Sequence, residues 1–394
     1  QITVSTFHAL GWHILREHHD ALGYRPGISI LDETDSQTVV RDLLPEGTAP
    51  EMVRLARAQV SRWKNRALAA GEAPEEISSG GEASIWRLYE RYEDHLKKLN
   101  AVDIDDLILQ PLRAVQVEDV RLQWQQQIRY LLVDEYQDTN ETQYRMLRLL
   151  AGEKGRLTAV GDDDQSIYGW RGAQPENLQQ LADDYPALKV IKLEQNYRSC
   201  GTVLKAANAL IANNPHAIEK RLWSALHEGD AIRVIPCGDE QEEASMIAAE
   251  ILHRRQMFKA SWGDFAVLYR GNHQSRILEQ ALREQRIPYH LSGGTSFFER
   301  TEIKDLMCYL RLAVNPDDNT AFMRIVNTPR RDIGVTSRGV IAQFAGTHHC
   351  SLFDAASSPE CRAALNPRSA ESLRRFCRLI TETGDRGERS DPIE

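Results

Sequence analysis

No run in the 394 residues approaches about 18 uncharged apolar positions, so nothing reads as a membrane-spanning helix. The N-terminus carries no basic stretch followed by an apolar one, which argues against a secretory leader. The 6 cysteines are scattered with no C-x-x-C pair. That spacing suits reduced thiols in a cytoplasmic protein, not a disulfide framework or a zinc site. G-x-S-x-G and H-E-x-x-H are both missing, and with them two common hydrolase signatures. No Gly-Lys dipeptide occurs, so the sequence has no G-x-x-x-x-G-K-[ST] loop to cradle nucleotide phosphates. Basic residues are in deficit, 48 against 57 acids, for a net charge of −9. This argues against a coat of positive surface but says little about a single basic groove.

What is present is ordinary globular material, 42% hydrophobic and 27% charged, enough for about two to four compact units. Residues 1–11, with "ITVSTFHAL" directly after Gln1, read as an apolar strand with a turn. From 12 to 115 apolar residues recur at three- and four-residue spacing, as in "SIWRLYERYEDHLKKLN", which predicts helices. "RYLLVDEY", "RLTAVGDDDQS" and "LKVIKLEQNYRS" each run an apolar stretch into polar residues, the pattern of buried parallel strands. "DFAVLYRGNHQSRILEQALREQRIPYHLSGG" alternates strand, helix and strand, and residues 301–394 turn helical again. The expected fold is α/β with helical insertions.

Three stretches carry chemistry. In a parallel sheet, ligands gather beyond the carboxyl ends of the strands. Asp134 and Glu135 would stand at that edge. There an acid can hold Mg²⁺ and a second acid can take a proton from an attacking water. A solvated acidic loop is the competing reading of a bare Asp-Glu pair. The second stretch, "AVGDDDQSIYGWRGA", puts Gln165 among acids and follows it with Tyr168, Trp170 and Arg171. A glutamine can orient a water or sense a terminal phosphate. Aromatics beside an arginine make a stacking platform for unpaired bases. The third, "LEQNYRS", offers Tyr197 to stack on an adenine and Arg198 to reach a phosphate.

In this order and spacing the three stretches resemble the Rep/UvrD/PcrA family of superfamily-one DNA helicases. "VDEYQDTN" is similar to that family's Walker B motif, "VGDDDQSIYGWRGA" to its motif III and "LEQNYRS" to its motif IV. "TFHALG" is similar to motif Ib, and "DIDDLI" and "IPYHLSGGTSFFERTEIKDLMCYLRL" also match. The resemblance implies ATP and Mg²⁺ as cofactors and ATP-driven 3′-to-5′ movement on single-stranded DNA. It implies action at single/double-strand junctions, with replication or repair proteins as partners and no membrane. It assigns Asp134 to Mg²⁺, Glu135 to general base, and Gln165 to coupling of the terminal phosphate to DNA. Arg198 would be an arginine finger, Tyr197 an adenine neighbour, and Thr6, His8, Tyr168, Trp170 and Arg171 DNA contacts.

The same resemblance implies two RecA-like parallel-sheet cores, both incomplete. The first would take residues 1–11 and 116–195, and the second 196–293. A helical insertion would occupy 12–115, and 294–394 would begin a mobile helical insertion hinged at Gly293 and Gly294. The phosphate loop and the family's motifs V and VI have no match. The chain is therefore expected to be an internal segment of a helicase, inactive as an ATPase by itself. With the phosphate-loop strand missing, the strands ending at Val133 and Val160 are expected to exchange amide protons faster than residues 265–268. Two other classes stay open: a single-stranded-DNA-binding or regulatory remnant, and a Mg²⁺-dependent nuclease. The nuclease needs a lysine beside its carboxylates, and neither "DEYQD" nor "GDDDQ" contains one.

Overall fold

The structure, a computed structural model, describes residues 2–71, 77, 81–214, 220–292, 301–348 and 350–389, with Arg171, Val335 and 387–389 placed by backbone alone. Gly293 and Gly294, the expected hinge, lie outside the described residues. Two units divide the chain. The first comprises Gln1–Glu194, Ala209–Arg221 and Asp305–Glu394, and the second Gln195–Asn208 and Leu222–Lys304.

The first unit begins with helices α1 (Phe7–Glu17), α2 (Glu33–Leu43), α3 (Pro50–Asn65), α4 (Gly81–Lys98), α5 (Asp106–Gln116), α6 (Glu118–Gln127), α7 (Glu141–Ala151) and α8 (Asn177–Asp184). Strands β1 (Ser29–Leu31) and β2 (Ala101–Asp103) pair in parallel, as do β3 (Leu131–Val133) and β4 (Leu157–Ala159). The strand expected over residues 1–11 does not form. Thr6 is extended, and its hydroxyl accepts a 3.2 Å hydrogen bond from Ala9 N, capping α1. Threonine is a strong N-cap, and Phe7, Leu10, Gly11 and Ile14 follow at helical spacing. Gly11 lets α1 lie close against α5: a Cβ there would lie 1.8 Å from Leu107 O.

Trp63, Trp86, Tyr89, Tyr92 and Leu96 give α3 and α4 a buried aromatic and aliphatic face. Its core is continuous with that of helices between 305 and 389, through Leu312, Phe322, Ile325, Phe376 and Ile380. Ser29 Oγ donates to Asp318 Oδ1 at 2.9 Å and Asn319 Nδ2 to Leu99 O at 3.1 Å, satisfying polar groups within this packing. A second core joins α1, α5, α6 and α7 through Ile14, Leu112, Val115, Trp124 and Met146. The third packs β3 and β4 against α7 and α8 through Val133, Tyr136, Tyr144, Leu147, Leu157 and Leu181.

An ion cluster is buried where α3, α4, β2 and α5 meet. Lys64 Nζ lies 2.6 Å from Glu93 Oε1, 3.0 Å from Asp103 Oδ2 and 2.8 Å from Asp106 Oδ2. Arg57 pairs with Asp105 at 3.0 Å, and the Tyr92 hydroxyl donates to Asp103 at 2.9 Å. Burial would raise the Asp103 carboxyl, but Lys64 and Arg57 outweigh it and hold it at about 2. Asp106 is pushed up to about 8 by burial and then by the charge of Glu93. Charges taken from water this far are tolerated only when paired.

In the second unit, helices Glu240–Phe258 and Ser275–Glu284 pack around Ala244, Ala248, Ile251, Ala281, Leu282 and Ile287. The strand expected within 189–195, at the end of the first unit's opening segment, and the one expected within 265–269, in the second unit, are not formed. Both stretches are without a ladder, and the pairing recorded among the described residues of the second unit is a single bridge, Gln195↔Trp223. An apolar run can favour extended backbone, but a parallel strand exists only where a distant segment supplies its hydrogen-bond partners. Among the described residues no helix is long and apolar enough to cross a membrane.

Candidate functional site

β3 and β4 pair in register, Leu131 with Leu157 through Val133 with Ala159, so their carboxyl ends lie side by side. Asp134 and Glu135 leave the first strand, Gly161 and Asp162 the second. The turn after β3 is tight. Glu135 takes a left-handed conformation, φ 50° and ψ 45°, and Tyr136–Asp138 makes one 3₁₀ turn. A side chain in that region is strained and persists only where its surroundings hold it. Here Tyr136 N donates to Val160 O at 2.9 Å and Asp138 N to Glu135 O at 3.0 Å.

Gln137 joins the two strand ends. The residue is 1% exposed. Nε2 donates to Glu135 Oε2 at 2.8 Å, while Oε1 accepts from Asp162 N at 3.0 Å. Gly161 leaves room for this: a Cβ there would stand 3.0 Å from Gln137 Oε1 and 3.3 Å from its N. The second loop then folds on itself. Gln165 Nε2 donates to Asp162 Oδ2 at 2.6 Å, Asp164 N to Asp162 Oδ1 at 3.2 Å, and Gln165 N to Asp162 O at 2.9 Å. Asp134, Glu135 and Gln165 thus stand on neighbouring loops of one sheet edge.

The same loop continues into Tyr168 and Trp170, whose ring centroids are 6.4 Å apart at 54°. Trp170 is 70% exposed, a poor place for a large apolar ring unless something covers it. The backbone of Arg171 closes the 3₁₀ turn Gly169–Arg171. Beyond it the chain is tied back to the end of "DEYQDTN". Gln174 N donates to Thr139 O at 2.9 Å, and Asn177 Nδ2 to Thr139 O at 3.0 Å and Thr139 Oγ1 at 3.1 Å. Asn140 caps α7 with a reciprocal Gln143 box, and its amide also donates to Asn65, whose own amide donates to Asp105 at 3.0 Å. "DIDDLI" is therefore linked to "DEYQDTN" through one asparagine on α3.

Thr6 and His8 open α1, both exposed, with the Thr6 hydroxyl engaged in the cap. Tyr197 and Arg198 belong to the second unit. Asn196 Oδ1 accepts from Arg198 N at 2.9 Å and Ser199 N at 2.8 Å, a turn that leaves Tyr197 78% exposed with its hydroxyl on Gln195 Oε1.

Carboxylate oxygens are the ligands Mg²⁺ prefers. Asp134 is exposed at the strand end, and Asp138 Oδ1 is buried with no hydrogen-bond partner. Burial and the Glu135 charge hold the Asp138 carboxyl above its usual range. These donors fit a hard divalent cation that takes one protein carboxylate and fills its other positions with phosphate and water.

Two residues escaped the sequence reading. Gln137 sits inside a quoted motif, but nothing local distinguishes a bridging glutamine from a solvated one. Lys220 bonds to Asp162, Asp163 and Asp164. It is the lysine that "GDDDQ" lacks in sequence, supplied from far downstream. Its ammonium lies among the three carboxylates, the place a cation would take.

Residues 1–186 match the family model for the UvrD/REP helicase N-terminal domain, and residues 191–360 match that for the UvrD-like helicase C-terminal domain. The chain belongs to the UvrD/REP helicase family. Helicase domains of this family imply a RecA-like α/β fold. The chain is 46% identical over 395 residues to ATP-dependent DNA helicase Rep of Escherichia coli (strain K12), covering 100% of this chain and 58% of that one. It is 44% identical over 383 residues to Rep of Buchnera aphidicola subsp. Acyrthosiphon pisum (strain APS), covering 96% and 59%. Against ATP-dependent DNA helicase PcrA of Leuconostoc citreum it is 38% identical over 383 residues, covering 96% and 51%. The chain thus spans between half and three fifths of the length of these curated relatives.

Proposed function

We propose that this UvrD/REP family chain is the segment of an ATP-dependent DNA helicase that activates the hydrolytic water and reads single-stranded DNA. Its parent would move 3′-to-5′ on single-stranded DNA and unwind duplex at junctions, in the cytoplasm, alongside replication or repair proteins. The observation that carries the reading is the Gln137 joint. It holds the general-base candidate Glu135 and the Gln165 loop on one sheet edge, so both can face one terminal phosphate.

Glu135 takes the proton of the attacking water, and Gln165 orients that water and reports the state of the phosphate to the loop bearing Tyr168, Trp170 and Arg171. Asp134 holds Mg²⁺, which neutralises phosphate charge when bound. Arg198 supplies a further positive charge to the phosphates, and Tyr197 stacks by the adenine. Tyr168 and Trp170 stack on bases, with Thr6 and His8 touching the same strand. The organisation proposed is two RecA-like cores, 1–11 with 116–195 and 196–293, with helical insertions at 12–115 and from 294 onward.

The test is Glu135→Gln in the full-length protein. It removes the proton acceptor and leaves Asp134, so nucleotide binding should persist while DNA-stimulated hydrolysis is lost. The 394-residue chain alone, without a phosphate-loop lysine, should show no hydrolysis that DNA stimulates. Full hydrolysis by Glu135→Gln would sink the assignment. DNA binding with no hydrolysis by the wild-type full-length protein would favour the remnant reading, and Mg²⁺-dependent cleavage of DNA the nuclease.

A further inference from the structure

Asp162, Asp163 and Asp164 point one carboxylate oxygen each to within 4.8 Å of the others. Three acids so close repel one another unless a cation lies among them. Lys220 provides it: Nζ bonds to Asp162 Oδ1 and Asp163 Oδ1 and lies 3.2 Å from Asp164 Oδ2. The Lys220 side chain is 20% exposed and those of Asp163 and Asp164 are 9% and 13% exposed, so water screens the group only partly. The other oxygen of Asp162, Oδ2, is the one that accepts the Gln165 amide at 2.6 Å. One carboxylate is thus shared between the lysine and the glutamine.

The position of Lys220 in the chain adds meaning. Its neighbour Arg221 donates its backbone N–H to Glu194 Oε1 at 3.0 Å. Glu194 begins "EQNYRS", and Glu194 and Arg221 are both last residues of the first unit before the chain passes into the second. Lys220 therefore ties the glutamine loop to a backbone segment that is itself bonded to the start of motif IV.

We propose that Lys220 is a positioning residue, whose ammonium holds the Asp162 carboxylate on which the Gln165 amide rests. This rests on the helicase reading for what Gln165 does, but not for where Gln165 is held. Burial alone would lower the Lys220 pKa, yet the bonds to the three aspartates outweigh it and raise it, so the ammonium stays charged. The Asp162 carboxyl, which burial would raise, is held below its usual range by Lys220 and Gln165.

The experiment compares wild type, Lys220→Ala, Lys220→Met and Lys220→Arg in the full-length protein, by amide hydrogen exchange and by steady-state ATP hydrolysis. The amides of Asp162, Asp164, Gln165 and Ser166 are all hydrogen-bonded within this loop or to Gln137. They should exchange about tenfold faster in Lys220→Ala and Lys220→Met and close to wild type in Lys220→Arg. Leu131 and Val160, bonded between β3 and β4, should not change, which shows that the sheet is intact. The kcat of DNA-stimulated hydrolysis should fall at least about fivefold with KM for ATP within about twofold, and arginine should recover most of it. Unchanged loop exchange in both neutral variants overturns the proposal whatever hydrolysis does, as does faster loop exchange with an unchanged kcat. A wild-type protein that hydrolyses no ATP refutes the helicase reading instead, and the exchange data then decide on Lys220 alone.

Discussion

Replacing Gln137 by leucine keeps its approximate volume and removes both polar ends of the joint. The bond from Nε2 to the Glu135 carboxylate is charge-assisted, about 1.5–3 kcal/mol in general, and the bond from Asp162 N is neutral, about 0.5–1.5 kcal/mol. Glu135 is exposed, so water replaces part of the first bond and its share falls toward the low end. Gln137 itself is 1% exposed, so water has little access to its end of the joint. The expected loss is about 2–3 kcal/mol, read from urea denaturation of the chain followed by tryptophan fluorescence. Gln137→Glu is a sharper version. It keeps an acceptor for Asp162 N but sets a second carboxylate where Nε2 now lies, 2.8 Å from Glu135 Oε2. Its penalty should match or exceed that of leucine at neutral pH and shrink as acid protonates the pair. In the full-length protein either change should lower kcat by freeing Glu135. A leucine variant within about 0.5 kcal/mol of wild type, with unchanged kcat, would refute the joint.

Trp170→Ala should weaken single-stranded DNA binding by about 1–3 kcal/mol with little dependence on base sequence, measured by anisotropy with oligo-dT and a mixed oligomer. Equal affinity, or strong sequence preference in the wild type, would count against the platform. Asp106 is raised from 3.8 in the unfolded chain to about 8 in the folded one, so between those values the folded form binds more protons. Stability should therefore fall as pH rises through about 4 to 8, and Asp106→Asn should flatten that fall in thermal melts taken across the range. Asp103, held at about 2, works the opposite way and adds stability as pH rises from about 2 to 4. Amide exchange should be slower at Leu131 and Val160, bonded within the β3–β4 sheet, than at residues 266–268, which lie in no ladder. That order reverses the sequence-based expectation. Slower exchange at 266–268 would restore the expected strand.

The family, the acids at the strand ends and the aromatic loop were all legible in the sequence, because each rests on local pattern. An apolar run that ends in "DE" or "GDDDQ" carries its own signal, and the helices of 33–98 declare themselves by apolar spacing. A strand over residues 1–11 does not form because Thr6 belongs with the residues after it, as their helix cap, and not with the apolar residues before it. The strands near 190 and 267 misled because extended propensity says nothing about whether a partner is in place. Tertiary structure decided the rest. Gln137 becomes a bridge only once β3 and β4 lie side by side, and Lys220 meets Asp162 across 57 intervening residues. Lys64 is buried only because three carboxylates from α4, β2 and α5 converge on it. Hydrogen bonds and ion pairs are made in space and depend on geometry at the scale of ångströms, while a sequence records only order and local period.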